Sequence, residues 1–205
     1  MIDQHACAGA ILSGGQSRRM GQPKALLPLG NETFLTRLTA VLAPFEERYL
    51  SANDLSLGRN FPGTVVPDQL PGAGPLAGLQ AVLSAMKKDF MLCVPCDMIN
   101  VNDTLITRML AAFQPEDDAL LCLGAEDGRV CPLCAIYARR VLPTVEAQLR
   151  RDHRRVMELV ALLRCTQLPV EDALLLNVNR PEDYQILLAR RERCGYVEIP
   201  QLNRP

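Results

Sequence analysis

The sequence predicts an α/β fold of three layers, with a mostly parallel central sheet covered by helices on both faces. Three observations carry that expectation. Six apolar runs are short enough for strands, five stretches between them repeat apolar residues at helical spacing, and the two kinds largely alternate along the chain. Strands in such a βαβ rhythm are buried on both faces, so their runs are continuously apolar, and ligands bind beyond their carboxyl ends.

In chain order, the strand runs are Ala8–Leu12, Arg48–Ala52, Gly63–Val66, Phe90–Val94, Ala119–Leu123 and Leu133–Tyr137. The helical patterns cover Thr33–Leu42, Leu76–Met86, Asp103–Phe113, Arg139–Leu149 and Arg155–Leu163. Asn31 or Thr33 caps the first helix and Asn102 or Asp103 the third, each offering a side-chain oxygen to an orphan N–H of the first turn. In "NRPEDY" Pro181 stands at a first helical position, followed by acids that suit a helix start.

A chain of 205 residues, 48% of them apolar, is expected to form one domain spanning 1–205 with a full core. That core covers about 7–192. The segment 193–205 holds two prolines and no helical period, and reads as a C-terminal arm. Net charge is −1, from 22 basic and 23 acidic residues, which argues against general affinity for nucleic acid and requires any anion site to be local. No apolar stretch approaches the ~18 residues of a membrane span, and "MIDQHACAGA" lacks the pattern of a signal peptide, so a cytoplasmic location is expected. Eight cysteines include the pairs "CVPC" and "CPLC", whose spacing suits zinc. Both pairs lie in or at the end of apolar strand runs without a Gly-rich knuckle, so buried reduced thiols are the expectation.

The stretch "LSGGQSRRMGQPK", Leu12 to Lys24, follows directly on the first strand. Gly14 and Gly15 leave backbone N–H groups free to turn toward an anion, and Arg18, Arg19 and Lys24 add charge around them. Arginine grips two phosphate oxygens, while lysine acts as a point charge. The P-loop, the dinucleotide fingerprint and the nucleophile elbow all fail on spacing.

The spacing that does match, L-x-G-G-x-S-x-R-M-G-x-x-K, resembles the nucleotidyltransferases that activate sugars and cofactors, and within them most closely the molybdenum cofactor guanylyltransferases. Four further segments are similar to that family in order and spacing: "VVPDQLPGAGPLAGL" (Val65–Leu79), "VPCDM" (Val94–Met98), "GRVCPLCAIY" (Gly128–Tyr137) and "NVNRPEDY" (Asn177–Tyr184). The resemblance spans roughly Ala8 to Leu188. It implies a Rossmann-like nucleotidyltransferase fold and a reaction in which the terminal phosphate of molybdopterin attacks the α-phosphate of GTP, releasing pyrophosphate. It also implies Mg²⁺ as cofactor, and cofactor-maturation proteins or molybdoenzyme chaperones as partners.

Carried over residue by residue, the resemblance gives Lys24, Arg19 and Asp97 the catalytic work, with Asp97 holding the metal. Leu12, Ser13, Gly14, Gly15, Lys24, Asn53, Asp68 and Asp97 would contact the nucleotide, and Asn177 and Asn179 the pterin. Local readings stand beside these roles. Asp97 could cap a helix, Asn53 and Asp68 could be ordinary turn residues, and Asn177 and Asn179, whose amides share one side of an extended segment, could form an Asx-turn. "RRDHRR" (Arg150–Arg155) reads as a solvated helix end, with contact to the pterin phosphate as the other reading. Ile99 stands where the family pattern has a second proline, which predicts a less rigid loop after the metal site. Readings from other classes are a cytidylyltransferase, typically L-A-A-G and G-D-M-P where this chain has "LSGG" and "VPCDM", a non-catalytic nucleotide-binding maturation factor, and a cysteine-based metal module.

Overall fold

The computed structural model describes residues 2–14 and 22–193. Its elements are β1 (Cys7–Leu12), β2 (Pro28–Leu29), β3 (Glu32–Thr33), α1 (Phe34–Val41), β4 (Arg48–Ser51), β5 (Thr64–Val66), α2 (Pro75–Ala85) and β6 (Phe90–Pro95), then α3 (Asp103–Ala112), β7 (Ala119–Gly124), β8 (Val130–Ala138), α4 (Leu142–Arg150), α5 (Val156–Val160), β9 (Cys165–Val170) and α6 (Pro181–Arg193). Seven strands form one sheet in the order β5-β4-β1-β6-β8-β7-β9, and β2 and β3 form a small hairpin of their own. Only β8 runs against its neighbours. The expected three-layer architecture is therefore the observed one.

Period-two alternation sorts the side chains into two cores. On β1, Cys7 and Ile11 join the core beneath α1 and α3, while Ala8, Ala10 and Leu12 join the core beneath α2, α4 and α5. On β6, Leu92 and Val94 go to the first and Met91 and Cys93 to the second. A strand with apolar partners on both faces needs apolar residues at every position, which is why the central runs were legible. Thr33 caps α1 in a reciprocal arrangement with Thr36, and the Asn102 side chain accepts from the Leu105 N–H at the start of α3, so Asn31 and Asp103 are not the caps.

Several boundaries differ from expectation. The helical pattern at Arg139–Leu149 begins as a 3₁₀ turn, with α4 starting at Leu142, and that at Arg155–Leu163 shortens to the five residues of α5. β8 starts earlier than predicted, at Val130, because a register shift opposite Leu121 and Cys122 accommodates Pro132. β9 was not foreseen: "CTQLPV" carries polar residues and a proline, both tolerated because it is an edge strand paired only with β7.

Candidate active site

β1 and β6 lie side by side and parallel, with Leu12 opposite Pro95, at the place where the strand order departs in opposite directions. Backbone bonds continue past the strand ends: Cys96 N–H donates to Leu12 O at 3.0 Å and Ser13 N–H to Ser51 O at 2.9 Å. Above them opens a cavity of about 880 Å³, within the roughly 300–1,000 Å³ typical of small-molecule sites. Leu12, Ser13, Gly14, Lys24, Asp97, Asn177 and Asn179 all line it, although Lys24, Asp97 and Asn179 are far apart in sequence.

At its centre the Lys24 ammonium donates to Asp97 Oδ2 at 2.9 Å and to Asn179 Oδ1 at 2.6 Å. Asp97 does not cap α3, since Asn102 does. The Asx-turn reading of Asn177 and Asn179 also gives way, because the N–H groups of Asn179 and Arg180 are both satisfied by Asp183 Oδ2 at 2.9 Å. The Asn179 side chain is thereby left to meet Lys24. Both amides face the cavity, as their period of two requires, and Asn177 Oδ1 is buried with no hydrogen-bond partner among the described residues.

Asn53 and Asp68 are brought to the same sheet edge but outside the cavity wall. They bind each other reciprocally, Asn53 Nδ2 to Asp68 Oδ2 at 2.8 Å and Asp68 N–H to Asn53 Oδ1 at 3.0 Å. Beside them α2 runs close over β4: a Cβ on Gly78 would lie 2.6 Å from Ser51 Oγ. The helix enters through Gly74 at φ +74°, a conformation that disfavours side chains. Gly15, Arg18 and Arg19 lie outside the described residues, as does the arm from residue 194 onward.

Two parts of the wall were underweighted in the sequence. Arg154 and Arg155, expected at a solvated helix end, line the cavity, and Arg154 Nη1 donates to Gly72 O at 3.1 Å across the mouth of the glycine-rich turn. Arg129 lines it too, held by Leu175 O at 2.9 Å. The signals were the basic run itself and the arginine inside "GRVCPLC". With Lys24 these arginines put four cations in the described cavity wall, Arg129 and Arg154 also paired with Asp127 and Asp152, a lining suited to a polyanion. The Ile99 loop is likewise better anchored than expected: Ile99 is 2% exposed, and Arg37 Nε donates to its carbonyl at 3.1 Å.

All seven described cysteines are free, and six are buried. Burial pushes the Cys7 thiol up to about 12 and the Cys96 thiol up to about 11 from an ordinary 9.0. The folded chain therefore keeps protons that the unfolded chain releases above pH 9.0, so stability is expected to hold level below that pH and decline as pH rises through about 11 and 12. Urea midpoints in reducing buffer from pH 7 upward check this; an unchanged midpoint through pH 11 would contradict it.

The model of the MobA-like NTP transferase domain matches residues 9–190. The chain belongs to that family. Among relatives of this MobA-like chain, a protein of Carboxydothermus hydrogenoformans named "Probable molybdenum cofactor guanylyltransferase" is 36% identical, over 87% of this chain and 93% of its own. The molybdenum cofactor guanylyltransferase of Vibrio cholerae is 33% identical over 84% and 87%. In structure it resembles the molybdopterin-guanine dinucleotide biosynthesis protein A of Archaeoglobus fulgidus, with a TM-score of 0.78 at 21% identity over 91% of this chain and 99% of that one. The 2-C-methyl-D-erythritol 4-phosphate cytidylyltransferase of Thermus thermophilus shares the fold, with a TM-score of 0.69 at 16% identity over 89% and 98%. Among the described residues no helix is long and apolar enough to cross a membrane.

Proposed function

We propose that this MobA-like chain transfers GMP from GTP to the terminal phosphate of molybdopterin. An acceptor oxygen forms a bond to the α-phosphorus, the bond from that phosphorus to the bridging oxygen breaks, and pyrophosphate leaves. The observation that carries the reading is the Lys24–Asp97–Asn179 cluster at the β1–β6 switch point, inside a cavity ringed by arginines. Transfer of this kind asks the protein mainly to align two reactants and to offset developing charge.

In this reading Leu12 to Gly15 contact the base and ribose, and the Asn53–Asp68 pair, at the sheet edge outside the cavity wall, serves the nucleoside. Lys24 and Arg19 follow the triphosphate, and Asn177 and Asn179 serve the acceptor. The Asp97 carboxylate and the unpartnered Asn177 oxygen are hard donors at one cavity, a set that fits Mg²⁺, which prefers oxygen and keeps several waters. Asp97 would hold it, and the ion when bound would neutralise charge on phosphate oxygens. Pyrophosphate measured with each of the four NTPs, Mg²⁺ and molybdopterin tests the proposal; release with GTP is expected, and none with any NTP would overturn it.

The cytidylyltransferase reading shares the fold, so the base needs its own test. Among the described residues a Cβ on Gly14 would meet nothing within 4 Å, and Gly14 is not among the glycines at positive φ, so Gly14→Ala is expected to keep the fold. In the proposed pose the added methyl, on the cavity wall, meets the base or ribose, and GTP kcat/KM is expected to fall about 10-fold or more. Competition between equal GTP and CTP in the wild type should favour GTP. Equal use, or preference for CTP, would reject guanine as the base.

A further inference from the structure

The polar groups of the cluster do not explain how they come to be together. Lys24, Asp97 and Asn179 stand on three segments that belong to no common sheet, since Lys24 precedes the β2–β3 hairpin, Asp97 follows β6, and Asn179 precedes α6. Removing the largely buried Lys24–Asp97 pair from water costs much of what their attraction returns, so it is weak support for assembling those segments. Something buried must do it.

A third core, separate from the two that sandwich the sheet, lies where the segments meet. It consists of Leu27, Leu29, Phe34, Ile99, Val178 and Leu187, none more than 9% exposed, with Tyr184 and Leu188 packed against it. Leu27 and Leu29 follow Lys24, Ile99 follows Asp97, and Val178 stands between Asn177 and Asn179. Each functional segment thus sends its own apolar side chain into one cluster. Backbone bonds tie the same pieces: Val178 N–H donates to Asp97 O at 3.0 Å, and Phe34 N–H donates to Leu27 O at 3.1 Å. The Tyr184 hydroxyl donates to Pro28 O, and its ring meets Phe34 edge-on at 6.0 Å between centroids.

We propose that this third core is the positioning element of the site, with Ile99 and Val178 as positioning residues that hold Asp97 and Asn179 against Lys24 independently of the two main cores. The inference rests on the guanylyl-transfer reading for the chemistry it serves. Its physical content is local: loosening the cluster spreads the three polar groups while the sheet stays intact. Misplacement of about 1 Å slows a transfer reaction by roughly 100-fold, so a partial loosening has a large kinetic effect.

Ile99→Ala, Ile99→Val and, as a main-core comparison, Val145→Ala on α4 form the test, each measured in the full chain. In Ile99→Ala the Val178 amide should exchange with solvent about 10-fold faster while amides of β1 and β6 keep their protection. Its kcat should fall about 10-fold or more with the KM for GTP within about 2-fold, Ile99→Val should recover most of the loss, and Val145→Ala should lose thermal stability with kcat kept. Equal protection of Val178 in the wild type and Ile99→Ala would overturn the proposal, as would a kcat loss in Val145→Ala matching that in Ile99→Ala. If the wild type releases no pyrophosphate, the guanylyl-transfer reading fails, and amide exchange alone still decides the positioning claim.

Discussion

Asp97→Ala is expected to abolish Mg²⁺-dependent pyrophosphate release, lowering kcat by about 10²–10³-fold or more, the range seen when one charge-stabilising group is removed from a transfer site. The carboxylate is 16% exposed on the cavity wall and belongs to none of the three apolar cores. Its removal leaves Lys24 bonded to Asn179 Oδ1, so no cation is stranded in a dry interior. The thermal midpoint should therefore move far less than kcat, by a few degrees, while the folded state persists. Asp97→Asn keeps an oxygen for Lys24 but loses the charge and should be nearly as inactive. Wild-type turnover in either variant would remove Asp97 from the mechanism.

Lys24→Ala is the second large effect, with kcat expected to fall by about 10²–10³-fold while the KM for molybdopterin changes by less than about 3-fold. Lys24 is the one described side chain shown bonded to both Asp97 and Asn179, and so joins the carboxylate proposed for the metal to the amide proposed for the acceptor. Its ammonium is a compact charge on a long stem, able to leave these partners for a phosphate oxygen. Lys24→Arg should restore only part of the activity, because a planar fork does not reproduce two short bonds from one nitrogen. Titrating GTP and molybdopterin separately into Lys24→Ala locates the damage. Loss of acceptor affinity with GTP affinity unchanged would reverse the assignment of the two halves. Arg19→Ala is expected to behave like Lys24→Ala, since the proposed reading gives both charges to the triphosphate.

Much of this was legible because it is local. A strand buried on both faces is an unbroken apolar run, a cap is a particular residue at a helix start, and a glycine-rich loop bearing cations announces an anion whatever lies around it. Asp97 and Lys24 could be named as candidates because chemical type and position after a strand are sequence properties. β9 was missed for the same kind of reason: an edge strand has one neighbour, so its sequence is free to carry Thr166, Gln167 and Pro169 and loses the apolar signature.

What the sequence determined by itself, then, was the alternation of strands and helices, the loop that carries the charges and the family whose motifs the chain shares. The tertiary structure alone decided which distant residues meet. Asn53 and Asp68 bond one another outside the cavity wall, Arg154 and Arg155 turn into it from a loop that reads as solvated, and Ile99 is buried beside Val178 instead of loosening its loop. Local patterns follow from backbone periods of 2 and 3.6 residues and appear in any short window of the chain. Meetings between residues distant in the chain depend on strand order and on which apolar side chains find a common dry space, and both are set only when the whole chain has packed.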